Sequence, residues 1–115
     1  MIHEMKVVSE PFFKIAYNKK VIESRLFDEN RQRISVGDVI VFREGGNEQH
    51  TVVVRVTDLI RHDTFMDLFN SNDPAFFGGE SPEALLAEIR GFYTLEDEAQ
   101  YGVVGVRFIH ESTAH

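Results

Sequence analysis

The stretch that most limits what this chain can become is Val39 to Ile60, VIVFREGGNEQHTVVVRVTDLI. Two apolar, β-branched runs flank Glu44 to Glu48 (EGGNE), whose paired glycines and asparagine spell a hairpin loop. Strands joined so tightly run antiparallel, because a parallel pair needs a crossover of a dozen or more residues. That argues against a doubly wound parallel sheet. In the second run, His50 to Ile60, the two-residue period puts Val52, Val54 and Val56 on one face and Thr51, Val53, Arg55 and Thr57 on the other. The first of these faces belongs to a core.

The other elements follow from caps and periodicity. Ser9 to Asn18 reads as a helix with Ser9 as N-cap, Phe13, Ala16 and Tyr17 on one side, and Asn18 closing it in the left-handed conformation. A strand from Val21 to Phe27 follows, then a polar connection and the Val36-Gly37-Asp38 turn into the strand Val39 to Arg43. Thr64 to Phe69 reads as a short helix, while Asn70 to Glu80 has no periodicity. Ser81-Pro82-Glu83 starts a helix to about Phe92 with Leu85, Leu86 and Ile89 as its buried stripe. Thr94 and Asp97 make a capping box for a further helix that Gly102 stops. The last strand, Val103 to Ile109, alternates Val104, Val106 and Phe108 inward. Its partner has to be an earlier strand, so the expectation is an α+β fold, a small mixed β-barrel closed between its first and last strands.

A length of 115 residues predicts one domain over 1–115, and ten phenylalanines supply the volume of a small barrel interior. No run approaches the roughly 18 apolar residues of a membrane span, and the N-terminal MIHEMKVV is too charged for a signal peptide, so a cytoplasmic location is expected. The chain has no cysteine, which removes disulfides, zinc ribbons and thiol nucleophiles. The histidines at positions 3, 50, 62, 110 and 115 show no ligand spacing, so neither a metal nor another cofactor is expected. A net charge of −7 works against non-specific binding of long nucleic acid and makes duplex DNA an unlikely partner. Any nucleic-acid recognition has to come from a local pocket.

Candidate chemistry gathers at the first strand. Alternation places Val21, Glu23, Arg25 and Phe27 on one face and Ile22, Ser24 and Leu26 on the other, with Glu23 and Arg25 about 7 Å apart along the strand. Lys20 stands just before it, where parity does not place it. Two readings are open: an exposed ion pair worth about 0–1 kcal/mol, or a recognition pocket. Phe76 and Phe77 beside Gly78 and Gly79 make either a flap that stacks a base or a plug in the barrel end. Tyr101 is either a ligand contact or a packing residue.

KKVIESRL at Lys19 to Leu26, the ISVGDVIVF turn and strand, FFGGESPEALLAEIRGFY and the closing YGVVGVRF together resemble the ASCH family, the activating-signal-cointegrator homology domain of the PUA-like superfamily. Asn18 stands where family members usually carry glycine. The resemblance implies a PUA-like barrel with flanking short helices, a cleft between the barrel and the first helix, and binding of RNA, a nucleotide or a nucleoside. It implies Lys20, Glu23 and Arg25 as cleft residues: Lys20 for an anion or a proton, Glu23 to accept from a base amine or fix Lys20, Arg25 for a carbonyl or phosphate. Phe77 and Tyr101 complete the set of candidate ligand contacts. Some small bacterial members resemble amidohydrolases that deacetylate N4-acetylcytidine with a lysine at position 20, a threonine nucleophile at position 23 and an acid near position 78. Here Glu23 replaces the threonine and Glu80 is displaced by two residues. An alternative chemistry would use Glu23 or Glu80 to activate water, with Lys20 polarising the carbonyl.

Overall fold

A computed structural model describes residues 1–111. In chain order the elements are β1 (Ile2–Val7), α1 (Ser9–Ala16), β2 (Ile22–Leu26), β3 (Val39–Glu44), β4 (Asn47–His62), α2 (Phe65–Asn70), α3 (Pro82–Ile89), α4 (Leu95–Tyr101) and β5 (Val103–His110). The strands form one sheet in the order β1-β3-β4-β5-β2, curled into a half-barrel, so the α+β expectation holds.

The EGGNE turn makes the hairpin it spells. β3 and β4 run antiparallel with Phe42 opposite Val52 and Ile40 opposite Val54, and Gly46 takes the positive φ of 93° that the turn requires. At sixteen residues β4 pairs with β3 through Arg55 and with β5 from Val54 onward, and a register shift between Val56 and Asp58 interrupts its ladder with β5. Before this bulge Val54 and Val56 point into the barrel; after it Leu59 packs against the barrel core and Ile60 against the helices. The extra residue bends the strand and lets it follow the barrel wall. β5 pairs antiparallel with β2, Glu23 opposite Val106 and Arg25 opposite Val104.

Three expectations need correction. β1, in IHEMKV, escaped sequence reading because its outward residues, Glu4 and Lys6 among them, dilute the apolar signal of Met5 and Val7. It runs parallel to β3, with Met5 opposite Phe42. Val8 rather than Ser9 occupies the N-cap position of α1, with no side-chain cap bond, and the buried stripe is Phe12 and Ile15, while Phe13 and Tyr17 are 38% and 71% exposed. α3 ends at Ile89 rather than near Phe92, and the stretch before it holds a 3-10 turn, Pro74–Phe77, whose first turn is capped by Asp73. The other two helix caps read from sequence are present: Ser81 Oγ accepts from the Ala84 N–H, and Thr94 and Asp97 exchange side-chain and backbone bonds.

Two cores hold these layers. Met5, Val7, Ile40, Phe42, Val54, Val56, Val104, Val106 and Phe108 fill the barrel, closed by Phe12 and Ile15 of α1. On the outer face of β2 and β5, Ile22, Leu26 and Val103 pack under Phe65, Leu68, Phe69, Phe77 and Leu85. Gly105 permits that contact, since a Cβ there would lie 2.9 Å from Leu68 Cδ1. β1 and β2 are the two edges of the sheet and do not pair. The Arg25 side chain bridges this seam, donating from Nη2 to the Lys6 carbonyl at 2.9 Å.

Candidate functional site in the barrel seam

The opening between β1 and β2 is a cavity of about 140 Å³. Its lining includes Lys6 and Val7 of β1, Val8 after it, Pro11 of α1, Lys20, Glu23 and Arg25, and a far wall of Phe69, Phe77, Leu85, Ile89, Phe92 and Tyr93. It lies beside the start of α1 and reaches across to α3.

Lys20 reaches the cavity through a local turn. Asn18 adopts a φ of 61°, as its side chain permits, and the N–H groups of Lys19 and Lys20 donate to the Lys14 carbonyl at 2.8 and 3.1 Å. The Val21 N–H then donates to the Phe76 carbonyl at 2.8 Å, which fixes the start of β2 against the 3-10 turn. Gly78 leaves room for the lysine stems: a Cβ there would lie 3.2 Å from Lys20 Cδ and 3.3 Å from Lys14 Cδ.

Glu23 sits at the centre with its side chain 6% exposed. Lys20 Nζ lies 2.8 Å from one carboxylate oxygen, and Arg25 donates from Nε at 2.8 Å to the other. The exposed-pair reading therefore gives way to a desolvated triad. Burial pushes the Glu23 pKa upward, but the charges and hydrogen bonds of Lys20 and Arg25 outweigh it and bring the value from 4.5 down to about 2. Burial also works to lower the Arg25 pKa, yet the Glu23 carboxylate and then Tyr93 raise it overall.

The depressed carboxyl carries a stability prediction. A group with pKa 4.5 when unfolded and about 2 when folded contributes ~3 kcal/mol, fully present above pH 4.5 and lost as pH falls toward 2. Urea unfolding between pH 6 and pH 2 is expected to show that loss, and Glu23→Gln should flatten this part of the profile. An unaltered profile in the variant would mean that Glu23 is not the group responsible.

Of the other sequence candidates, Phe77 is 3% exposed, lines the cavity and packs edge-on against Phe69 at 5.2 Å, in the helix-side core rather than in the barrel end. Tyr101 is not among the lining residues; it packs, partly buried, against the core beneath the helices. Glu80 is exposed and also lies outside the lining. Tyr93 is the residue that sequence reading missed. It was legible as a continuation of the α3 stripe, but its position beside Arg25 depends on the turn after α3 and on stacking against Phe65 at 5.8 Å. Among the described residues no group of three His, Asp or Glu gathers as a metal site; His115 lies outside them. No helix among them is long and apolar enough to cross a membrane.

A half-barrel of this topology with helices on its outer face is PUA-like. The sequence profile of the ASCH domain matches residues 5–110, and the chain belongs to the ASCH domain family, whose members are generally RNA-binding. It is similar to the crystal structure of a hypothetical protein from Pyrococcus, PH0355, with a TM-score of 0.85 and 31% identity over 96% of this chain and 100% of that one. It is also similar to the solution structure of protein PF0455 from Pyrococcus furiosus, with a TM-score of 0.74 and 33% identity over 96% of this chain and 97% of the other. No curated protein matches the chain.

Proposed function

We propose that the seam cavity binds a nucleobase, presented by a free nucleoside or nucleotide or by a short single-stranded RNA segment. The observation that carries this reading is the Lys20–Glu23–Arg25 triad, largely buried in the lining of an aromatic-walled cavity. Both oxygens of Glu23 are engaged, so it fixes the two cations rather than meeting a ligand. Lys20 Nζ has three N–H donors and Glu23 engages one, which leaves donors for a base carbonyl or a phosphate. Lys6 in the lining is paired outward with Glu48, so the cationic donors facing the cavity are Lys20 and Arg25, gathered at one place in a chain of net charge −7. Phe92 and Tyr93 supply faces on which a base can stack.

Hydrolysis of N4-acetylcytidine is the second reading, and two features weigh against it. Position 23 carries no hydroxyl, and a carboxylate with a pKa of about 2 and both oxygens paired is a weak base toward water at neutral pH. Incubating the protein with N4-acetylcytidine and following free acetate by NMR tests it directly.

Binding is tested by calorimetry with uridine 5′-monophosphate, whose base edge presents two carbonyl acceptors. Losing one charge-assisted hydrogen bond costs about 1.5–3 kcal/mol, so Lys20→Ala is expected to weaken binding roughly ten- to hundredfold. Unchanged affinity in a folded Lys20→Ala protein would reject the site.

A further inference from the structure

We propose that Phe76 and Arg107 form a second nucleotide subsite next to the seam, so that the ligand is a single-stranded RNA of at least two nucleotides rather than a free nucleoside. This rests on the reading of the seam as a nucleobase site, and it adds the class of ligand.

The starting point is the use of positive charge. The chain has twelve lysines and arginines, and eight of them lie within ion-pair distance of a carboxylate: Lys6, Lys14, Lys20, Arg25, Arg31, Arg43, Arg55 and Arg90. Among the described residues Lys19, Arg33, Arg61 and Arg107 have no such partner. In an acidic protein these are the cations left for an external anion. Arg61 lies 3.7 Å above Phe27, a ring packed against the barrel core. Arg107 instead lies 5.0 Å above Phe76, which is 37% exposed.

That pair is tied to the seam by backbone. Phe76 directly precedes the cavity residue Phe77, and its carbonyl receives the Val21 N–H, one residue beyond Lys20. Arg107 stands opposite Ile22 across the β2–β5 ladder, and the exposed Lys19 lies on the same approach to β2. One short stretch of chain, Lys19 to Arg25, thus carries the triad and abuts Arg107 with its partly exposed ring. An aromatic face for a base beside a planar cation for a phosphate is the combination that holds single strands, tolerant of sequence because every base has a π-face.

The test compares fluorescein-labelled hexauridylate, by anisotropy at several salt concentrations, with uridine 5′-monophosphate by calorimetry. Arg107→Gln and Phe76→Leu are each expected to weaken hexauridylate about tenfold. Arg107→Gln should also lower the slope of log K against log salt by about 0.7. Binding of the monophosphate should stay within about twofold of wild type, whereas Lys20→Ala weakens both probes. Should Arg107→Gln fail to fold, Arg107→Lys keeps the charge without the planar group and is expected to lose hexauridylate affinity several-fold. If both subsite variants bind hexauridylate like wild type while Lys20→Ala does not, the second subsite is overturned and the seam stands. Equal loss of both probes in Arg107→Gln would place Arg107 in the seam itself and overturn the subsite. A wild-type protein that binds neither probe overturns both readings.

Discussion

Glu23→Ala is expected to lower the unfolding free energy by about 3–5 kcal/mol, toward the lower end of that range. Removing the carboxylate leaves Lys20 and Arg25 as neighbouring like charges with no counterion, in a cavity walled by Phe69, Phe77, Leu85 and Tyr93. Their side chains retain 12% and 14% exposure, so both can move outward and recover part of their hydration. Urea denaturation at pH 7 measures the loss, and a change below about 1 kcal/mol would show that the triad is more hydrated than its contacts indicate. A combined Lys20→Met, Glu23→Leu, Arg25→Met variant sharpens the point. Replacing a whole buried ion network with apolar groups is often neutral or stabilising. The triple variant is therefore expected to be at least as stable as Glu23→Ala and to bind no nucleotide, which would separate retention for function from retention for stability.

Phe65→Ala is expected to cost about 3–5 kcal/mol, by lost burial and by the cavity left behind. Phe65 is fully buried and stacks on Phe69 at 5.9 Å and on Tyr93 at 5.8 Å, both of which face the seam. Its backbone N–H also donates to the buried Glu98 carboxylate at 2.7 Å, and Arg90 donates to the same oxygen at 3.0 Å. Removing the ring therefore loosens the wall that positions Tyr93 beside Arg25. Calorimetric melting measures the stability loss, and nucleotide binding should fall even at temperatures where the variant stays folded. Native affinity in folded Phe65→Ala would mean that the Tyr93 wall contributes nothing to recognition.

Sequence reading reached the fold where local chemistry and tertiary demand agree. The EGGNE hairpin, the Ser81 and Thr94 caps, the left-handed Asn18 and the alternation of Val104, Val106 and Phe108 were each written in neighbouring residues. It missed what depends on distant partners. β1 has a weak pattern because half of it faces solvent, and it exists because β3 offers it a parallel edge. The buried face of α1 was misread because Phe12 and Phe13 are equally apolar, and only the position of the barrel selects Phe12. At the site, parity placed Glu23 and Arg25 together, but nothing local told that the open seam would desolvate them. Lys20 enters through the Asn18 turn, and Tyr93 through a turn after a helix that ends earlier than its stripe suggests. The packing of Tyr101 against the helix-side core depends in the same way on tertiary placement.

The central claim, that the seam between β1 and β2 is the recognition site, is tested most directly by titrating isotope-labelled protein with hexauridylate and following backbone amide shifts. Saturable shifts are expected to concentrate at Lys20 to Arg25, at Phe77 and Gly78, and at Tyr93. Saturable shifts confined to other surfaces, such as Arg31 to Arg33 or α4, or no shifts at millimolar ligand, would contradict it.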